Sequence, residues 1–525
     1  MKAETLIKRY DIALPKRDKF KTLYEKVYEY ILPDRYTQIE DQRVEGQNNR
    51  LDLYTSAPEQ SADRFVQRVQ GALTPIGQDW IDFEAGYAYT AGDRDPVEVN
   101  KSLGQIAHVC NVFKDVSNFD SEITSFYYDL IPGTAYLFIT EGTPDNPLVF
   151  KTIPFKEMVI EEGADGYPSH YYRLFKIKNE LVKETWKDAK FEYPEEKKQE
   201  EVEFLECTYK EKGKWVYQVI HRRECRVVVE KSFKACPFIA LRWTKSSGEI
   251  YGRGCGLKAL SDIRTLNKIT EYGLRALGLT VPVFTASTDG GYDPSTFKVF
   301  PGAVNPVPSN LSNNPTIQQL QVSQQVDLQQ YNATQLEMNI KKNMFDTTIP
   351  NDPQRMTATE INQRTGELME QLNNAFGRLV NEFLYPLVKR MIEVLQNFGY
   401  IDSELDINRF NGFGFKIKIN TALSNQQKYK ELQNNLQFLQ IAVSVDPAMQ
   451  FIGKVVKLEE LAVSIAKLSG IDYEYIRSAD EIRALEQQEA QIAQLQQQQA
   501  MIDQVNMSNA IEKGKADAQR DSKML

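Results

Sequence analysis

Histidine, cysteine and glycine are the residue types that most often carry acid–base catalysis, metal binding or phosphate binding, and here their spacing supports none of the three. His108, His170 and His221 lie in separate segments with no H-E-x-x-H or other short pairing. Each therefore reads as a surface or satisfied core histidine, not as a zinc ligand or general base. The five cysteines (Cys110, Cys207, Cys225, Cys236 and Cys255) are odd in number and lack C-x-x-C spacing, so reduced thiols are expected and a disulfide framework is not. Cys207, His221, Cys225 and Cys236 fall in successive predicted strands, at intervals of 14, 4 and 11 that match no zinc pattern. Lys214, Lys454 and Lys515 follow a glycine but lack the second glycine five positions earlier that a phosphate-binding loop needs. Gly252, Gly254 and Gly256 stand between a strand-like run and a helical one. The third comes one position too early for a dinucleotide loop and the βαβ context is missing, so a tight turn under close packing is expected. There is no G-x-S-x-G, and no carboxylate pair stands out. No catalytic residue, cofactor or metal follows from these residues.

Basic residues on helices are the remaining chemistry. Between Leu257 and Gly278, Lys258, Arg264, Lys268 and Arg275 face two acids, a local excess of +2 in a chain whose 63 Lys+Arg against 72 Asp+Glu leave a net charge of −9. Lys341 and Lys342 close a later helix, and Arg355 and Arg364 flank a proline-bearing loop. Such groups either touch phosphates or form a solvated face, and spacing alone leaves both open. The acidic total excludes a protein that wraps nucleic acid by neutralising phosphates, while leaving room for local basic strips.

The elements that position these residues follow from periodicity. At 525 residues, and about 150 per domain, the chain has room for three to four domains; 42% hydrophobic and 11% aromatic content suits a folded protein. No run approaches the roughly 18 apolar residues of a membrane span, and the opening MKAETLIKRYDIALPKRDKF is charged where a signal peptide is apolar. No membrane association is expected, and the chain should stay in the cytoplasm where it is made. Phe20, Leu23, Tyr24, Val27, Tyr28 and Ile31 predict an amphipathic helix stopped by Pro33. A second helix is predicted from about Pro58 to Leu73 with Ser56 as its cap, and two more over Val97–Val116 and Ser121–Leu130. From Tyr136 to about Leu241 the period changes to short β-type runs, among them TAYLFIT, HYYRLFKI, KWVYQVIH and PFIALRW, which predict an antiparallel region. The charged stretch from about Lys183 to Glu203 reads as a short helix plus a solvated loop. Helical periodicity returns at Leu257. It breaks between Ser287 and Thr316, whose five prolines, three glycines and four asparagines permit only turns and edge strands, and resumes from about Leu320 to Phe345.

Beyond the loop DTTIPNDPQRM, Ile361, Leu368, Leu372, Phe376, Leu379, Phe383, Leu387, Met391 and Leu395 predict a long helix. Thr357 and Glu360 form a capping box at its start, and a kink is expected at Pro386. Running to Phe398, it would span about 60 Å, a length that suits an elongated assembly. The last hundred residues are helical and increasingly polar. Eight of the thirteen residues from Gln487 to Gln499 are Gln, which leaves Leu485, Ile492, Leu495 and Ile502 as a narrow seam. A seam this thin needs copies of itself as neighbours, in a coiled coil or a tube of helices. The final twenty residues read as frayed. The overall expectation is an α+β chain.

Several segments carry a family resemblance. CPFIALRW with SGEIYGRGCGLKALSDIRTLNKITEYGLRAL, the element formed by Arg355, Thr357, Ala358, Glu360 and Ile361, the distal FLYPLVKRMI, and the early LYTSAPEQSADRFVQRVQGALTPIGQDWIDF resemble, in order, the portal (head-to-tail connector) proteins of short-tailed bacteriophages. The spacing from Pro75 to Trp80 is one residue longer than in that family. The resemblance implies a ring, usually of twelve copies, at one capsid vertex of the virion. Double-stranded DNA is packaged and ejected through it without sequence-specific binding. It further implies contacts with major capsid and scaffolding proteins, a packaging terminase and a tail adaptor protein, and no enzymatic activity. Mapped onto this chain, residues 1–256 would be the wing, 257–280 a stem helix, 281–318 the clip, and 319–345 the second stem helix. Residues 346–356 would be the tunnel loop, 357–425 the long bridging helix and wing return, 426–480 the crown, and 481–525 a helical barrel with a frayed tail. Lys341, Lys342 and Arg355 are then expected to line the channel, and Leu485, Ile492, Leu495 and Ile502 to join barrel helices. Two other readings fit the residues: a helical scaffold or internal assembly protein without a channel, and a metal-dependent nuclease whose carboxylates the sequence does not single out.

Overall fold

The computed structural model describes residues 1–39, 50, 52–87, 96–193, 198–279, 284–286, 317–319, 326–346, 377–402, 414–419, 422–445, 456 and 458–469, with single helical positions between 488 and 507. The chain divides into two units, Met1–Gln78 with Phe113–Ile407, and Asp79–Val112 with Asn408–Leu525.

In the first unit, α1 (Ala3–Tyr30) starts well before the helix that periodicity predicts at Phe20. Its opening half buries only a narrow stripe, Ala3, Leu6, Tyr10 and Ala13, and Pro15 sits inside the helix, so charge and proline mask the helical signal. That stripe packs on Val159, Tyr172, Leu205, Cys207, Tyr209 and Ile220 of a sheet. Helix α2 (Ala57–Leu73) begins where expected, but Ser56 does not cap it. Its backbone is in the helical region, which keeps its hydroxyl from the free amides of the first turn; Thr55 Oγ1 accepts from the Ala57 amide instead, at 3.3 Å.

The β-type runs become two antiparallel sheets. β2 (Thr134–Glu141), β3 (Leu148–Ile153) and β9 (Phe238–Arg242) form one, in the order β3-β2-β9. β4 (Met158–Glu162), β5 (Pro168–Lys178), β6 (Glu201–Glu211), β7 (Lys214–His221) and β8 (Arg226–Phe233) form the other in sequence order. Lys212 and Gly213, both at positive φ, make the two-residue β6–β7 turn that matches strand twist. α4 (Phe119–Tyr128) precedes β2, and α5 (Asn179–Thr185) fills part of the charged interruption before β6. The glycine turn behaves as its sequence suggests: a Cβ at Gly252 would collide with the Gly133 carbonyl, and one at Gly254 with the Ile131 carbonyl.

That turn launches α6 (Cys255–Leu279), which lies against α7 (Val326–Asn343). Between them, β10 (Phe284–Ala286) pairs with β11 (Ile317–Gln319); residues 287–316 lie outside the described residues. Of the long helix, residues 357–376 likewise lie outside them, the capping box included. From Gly377 the chain is helical, passes through a π turn at Leu379–Leu384 and continues as α8 (Tyr385–Asn397). The irregularity expected at Pro386 thus takes the form of a π turn just upstream, where proline supplies no amide to the Glu382 carbonyl.

In the second unit, β1 (Ile81–Ala85) pairs antiparallel with β12 (Phe415–Ile419), a strand pair that the sequence reading did not anticipate. Opposite charges meet in register, Asp82 with Lys418 and Glu84 with Lys416. A two-stranded sheet is marginal alone. Buried Asn111 and Asn100, on α3 (Pro96–Val116), bond the backbone of Ile81 and Ala85 and cover the outer edge of β1. α9 (Ala422–Val445) and α10 (Leu458–Leu468) complete the described part of this unit. Among the described residues no helix is long and apolar enough to cross a membrane.

Candidate functional site

The basic helices behave differently from one another. On α6, Lys268 and Arg275 both pair with the buried Glu271, at 2.7 and 2.6 Å, and Arg264 lies over the Tyr30 ring at 6.0 Å. Most of the local positive excess is therefore engaged. On α7, Lys341 and Lys342 have no ion pair among the described residues, and Lys342 is exposed. Of the sequence-predicted site residues, Arg355 and Leu485 lie outside the described residues, while Ile492, Leu495 and Ile502 occupy exposed helical positions.

The end of α7 is tightly specified. Phe345 adopts a left-handed backbone (φ 58°), its amide donates to the Lys342 carbonyl at 3.2 Å, and the Asp346 amide donates to the Lys341 carbonyl at 2.7 Å. This pair of bonds is a Schellman closure, normally built around glycine. What holds a phenylalanine there is α2. The Asp346 carboxylate, wholly inaccessible, accepts from Ser61 Oγ at 3.2 Å and from Arg64 Nη1 on both oxygens at 3.1 Å. Arg68 donates to the Phe345 carbonyl, and burial lowers its pKa, countered by Asp346. The Phe345 ring packs on Trp243 (5.7 Å) and Phe65 (6.1 Å), which themselves meet edge to face at 5.1 Å.

Trp243 leads to a second anchor. Arg242, 1% exposed, donates through its backbone amide, Nε and Nη2 to Glu382 in the π turn, the last at 2.6 Å. Its remaining bonds reach Glu162, the Ile250 carbonyl and the Gly166 carbonyl. Lys245 also pairs with Glu162. About three turns further on, Glu393 accepts from the amides of Lys234 (2.5 Å) and Ala235 (3.1 Å) and from Arg390 (2.7 Å), so the long helix is bolted to the start of the β8–β9 connection and to the end of β9. Buried charges this fully bonded fix geometry more than they add stability.

These anchors escaped sequence reasoning. The available signal was a charged residue inside the apolar run PFIALRW, and Arg64 with Arg68 four apart on α2. Nothing local marks Asp346. The residues considered for metal chemistry stay apart: among the described residues no cluster of three His, Cys, Asp or Glu is placed to hold an ion. His221 lies between Phe191 and Phe204 and accepts from the Glu224 amide; His170 stacks on Tyr172 and Tyr209, and burial lowers the pKa of both. His108 is exposed.

Relatives are similar along much of the chain. The portal protein of Enterobacteria phage T3 is 22% identical over 407 residues, which span 74% of this chain and 73% of that protein. The portal protein of Escherichia phage T7 is 25% identical over 180 residues, covering 31% and 30% respectively. Among solved structures, the neck of an empty gene transfer agent (GTA) particle aligns over 77% of this chain and 95% of that one, at 10% identity and a TM-score of 0.36; so loose a superposition adds nothing to the assignment. The sequence pattern described as bacteriophage head to tail connecting protein matches residues 3–476, nearly the whole length, and the chain belongs to that family.

Proposed function

We propose that the chain acts as a portal subunit: copies close into a ring at one capsid vertex, double-stranded DNA enters and leaves through the central hole, and the ring joins head to tail. The family match across residues 3–476 carries this reading. The ring takes twelve copies and meets major capsid and scaffolding proteins on assembly, the packaging terminase during filling, and the tail adaptor afterwards. Within it, α6 and α7 form the stem, Lys341, Lys342 and Arg355 face the lumen, and Leu485, Ile492, Leu495 and Ile502 join barrel helices.

The charges suit a conduit. A wall that grips DNA would hold it, because every neutralised phosphate adds salt-dependent affinity. At −9 per subunit the wall is repulsive in sum, and a ring of lysines that have no ion pair among the described residues centres the duplex at one height without trapping it.

Electron microscopy and native mass measurement of the purified protein test the reading. A closed ring with an axial hole is expected; twelve chains of 60.3 kDa weigh about 724 kDa. Compact monomers or open filaments under all assembly conditions would overturn it. Neutralising the lysine pair (Lys341→Gln with Lys342→Gln) should alter packaging, genome retention or ejection, and no change in all three removes the lumen assignment.

A further inference from the structure

The last turn of α7 carries two unfavourable features at one point. A phenylalanine is held at positive φ, and a carboxylate is taken wholly out of water, although a glycine in place of Phe345 would close the helix at less cost. Both are maintained by the same three residues of α2: Ser61 and Arg64 satisfy the Asp346 carboxylate, and Arg68 bonds the Phe345 carbonyl. The carbonyls that receive the two closing bonds belong to Lys341 and Lys342 themselves. Helix ends ordinarily fray over their last turn, which lets the side chains there sample several directions. Here Phe345 and Asp346, which close on the carbonyls of the two lysines, are tied to α2, and the Phe345 ring rests on Trp243, the neighbour of Arg242.

We propose that Ser61, Arg64 and Arg68 are positioning residues for Lys341 and Lys342. By gripping Asp346 and Phe345 they set the rotation and height at which the last turn of α7 presents the two ammonium groups. The inference rests on the reading of those lysines as lumen-facing. α2 touches no DNA in this scheme; it acts only through the end of α7. Any change in the seating of α2 therefore passes to the lysines, which gives the wing a mechanical route to the channel wall.

The test uses the full-length chain in two readouts. In the first, hydrogen exchange on the purified protein follows the amides of Phe345 and Asp346. Asp346→Asn and Arg64→Met should each speed their exchange about tenfold or more, while amides in β5–β7 keep wild-type rates. Wild-type exchange at 345–346 in both variants overturns the clasp. In the second, capsids assembled with each variant are scored for packaged DNA, alone and combined with Lys341→Gln and Lys342→Gln. A clasp that works through the lysines makes the effects non-additive: Asp346→Asn lowers packaging in the wild-type background and changes it little further in the lysine-neutral one. Fully additive effects overturn the proposal, as does a loss caused by Asp346→Asn when the lysine substitutions cause none. Arg64→Lys, which keeps one charged donor, should restore most of the function that Arg64→Met removes. A wild-type chain that forms rings but never loads capsids would sink the portal reading instead, and the exchange result would stand apart from it.

Discussion

The first unit and the described late helices of the second handle their difficult side chains in opposite ways. The first neutralises its buried charges internally: Arg242 with Glu382, Arg390 with Glu393, and Arg173 with Glu157 and Glu206. On α9, by contrast, Ala442 is the one buried side chain among those described, while Ile441 is 56% and Val445 76% exposed. Leu436 and Val443, seven apart, share one face of α9; Phe438, Ile441 and Val445 share the opposite one. An apolar patch on one side suits a single neighbour, but patches on two sides suit a helix flanked twice, as every subunit of a closed ring is. The contrast is between buried charges that the first unit pairs internally and apolar side chains that α9 leaves uncovered on two faces.

The largest test of that contrast removes a buried partner. Glu382→Gln removes the buried carboxylate that faces the inaccessible Arg242 guanidinium and leaves Glu162 as its remaining ion-pair partner; it should cost up to about 5 kcal/mol in denaturant unfolding of the purified chain. Replacing both groups with apolar ones of similar volume should cost far less. A loss below about 1 kcal/mol for the single change would show that the first unit does not depend on its internal pairs.

A second effect comes from acid–base linkage. Burial pushes the Asp129 carboxyl from its ordinary 3.8 up to about 7, against the opposing pull of Arg35 at 3.8 Å and the hydrogen bond from Tyr28. The folded chain thus holds a proton that the unfolded chain releases. The stability this group contributes is full below about pH 4, is lost as the pH rises, and levels off above about pH 7. Thermal unfolding followed across that window should show Asp129→Asn flattening the decline; parallel curves for variant and wild type would contradict the assignment.

The smallest effect on folding, and the sharpest on the comparison, belongs to α9. Ile441→Asp with Val445→Asp should change unfolding of the lone chain by no more than about 0.5 kcal/mol per site, since neither side chain is covered. The native mass should nonetheless fall toward smaller species. Rings that persist unchanged would mean that those faces need no neighbour.

Local physics made much of this chain legible. The alternating runs from TAYLFIT to PFIALRW became strands because each is short, β-branched or aromatic and bounded by turn residues. Gly252 and Gly254 proclaimed a close backbone approach, and Gly133 and Ile131 supply it. Where the signal was thin, the reading fell short. The first half of α1 hides behind charge and Pro15. β1 and β12 are five residues each and lie over 300 positions apart, so neither could be recognised without the other.

The sequence by itself determined the periods, the turns, the lack of catalytic motifs and a resemblance strong enough to name a family, because all of these are carried by neighbouring residues. Only the tertiary structure decided which charges meet. Arg64 and Asp346 stand 282 residues apart and Arg242 and Glu382 stand 140 apart. No local propensity distinguishes Asp346 from an exposed aspartate. It becomes an anchor because packing takes water away from it and leaves the side chains of α2 as its only partners among the described residues.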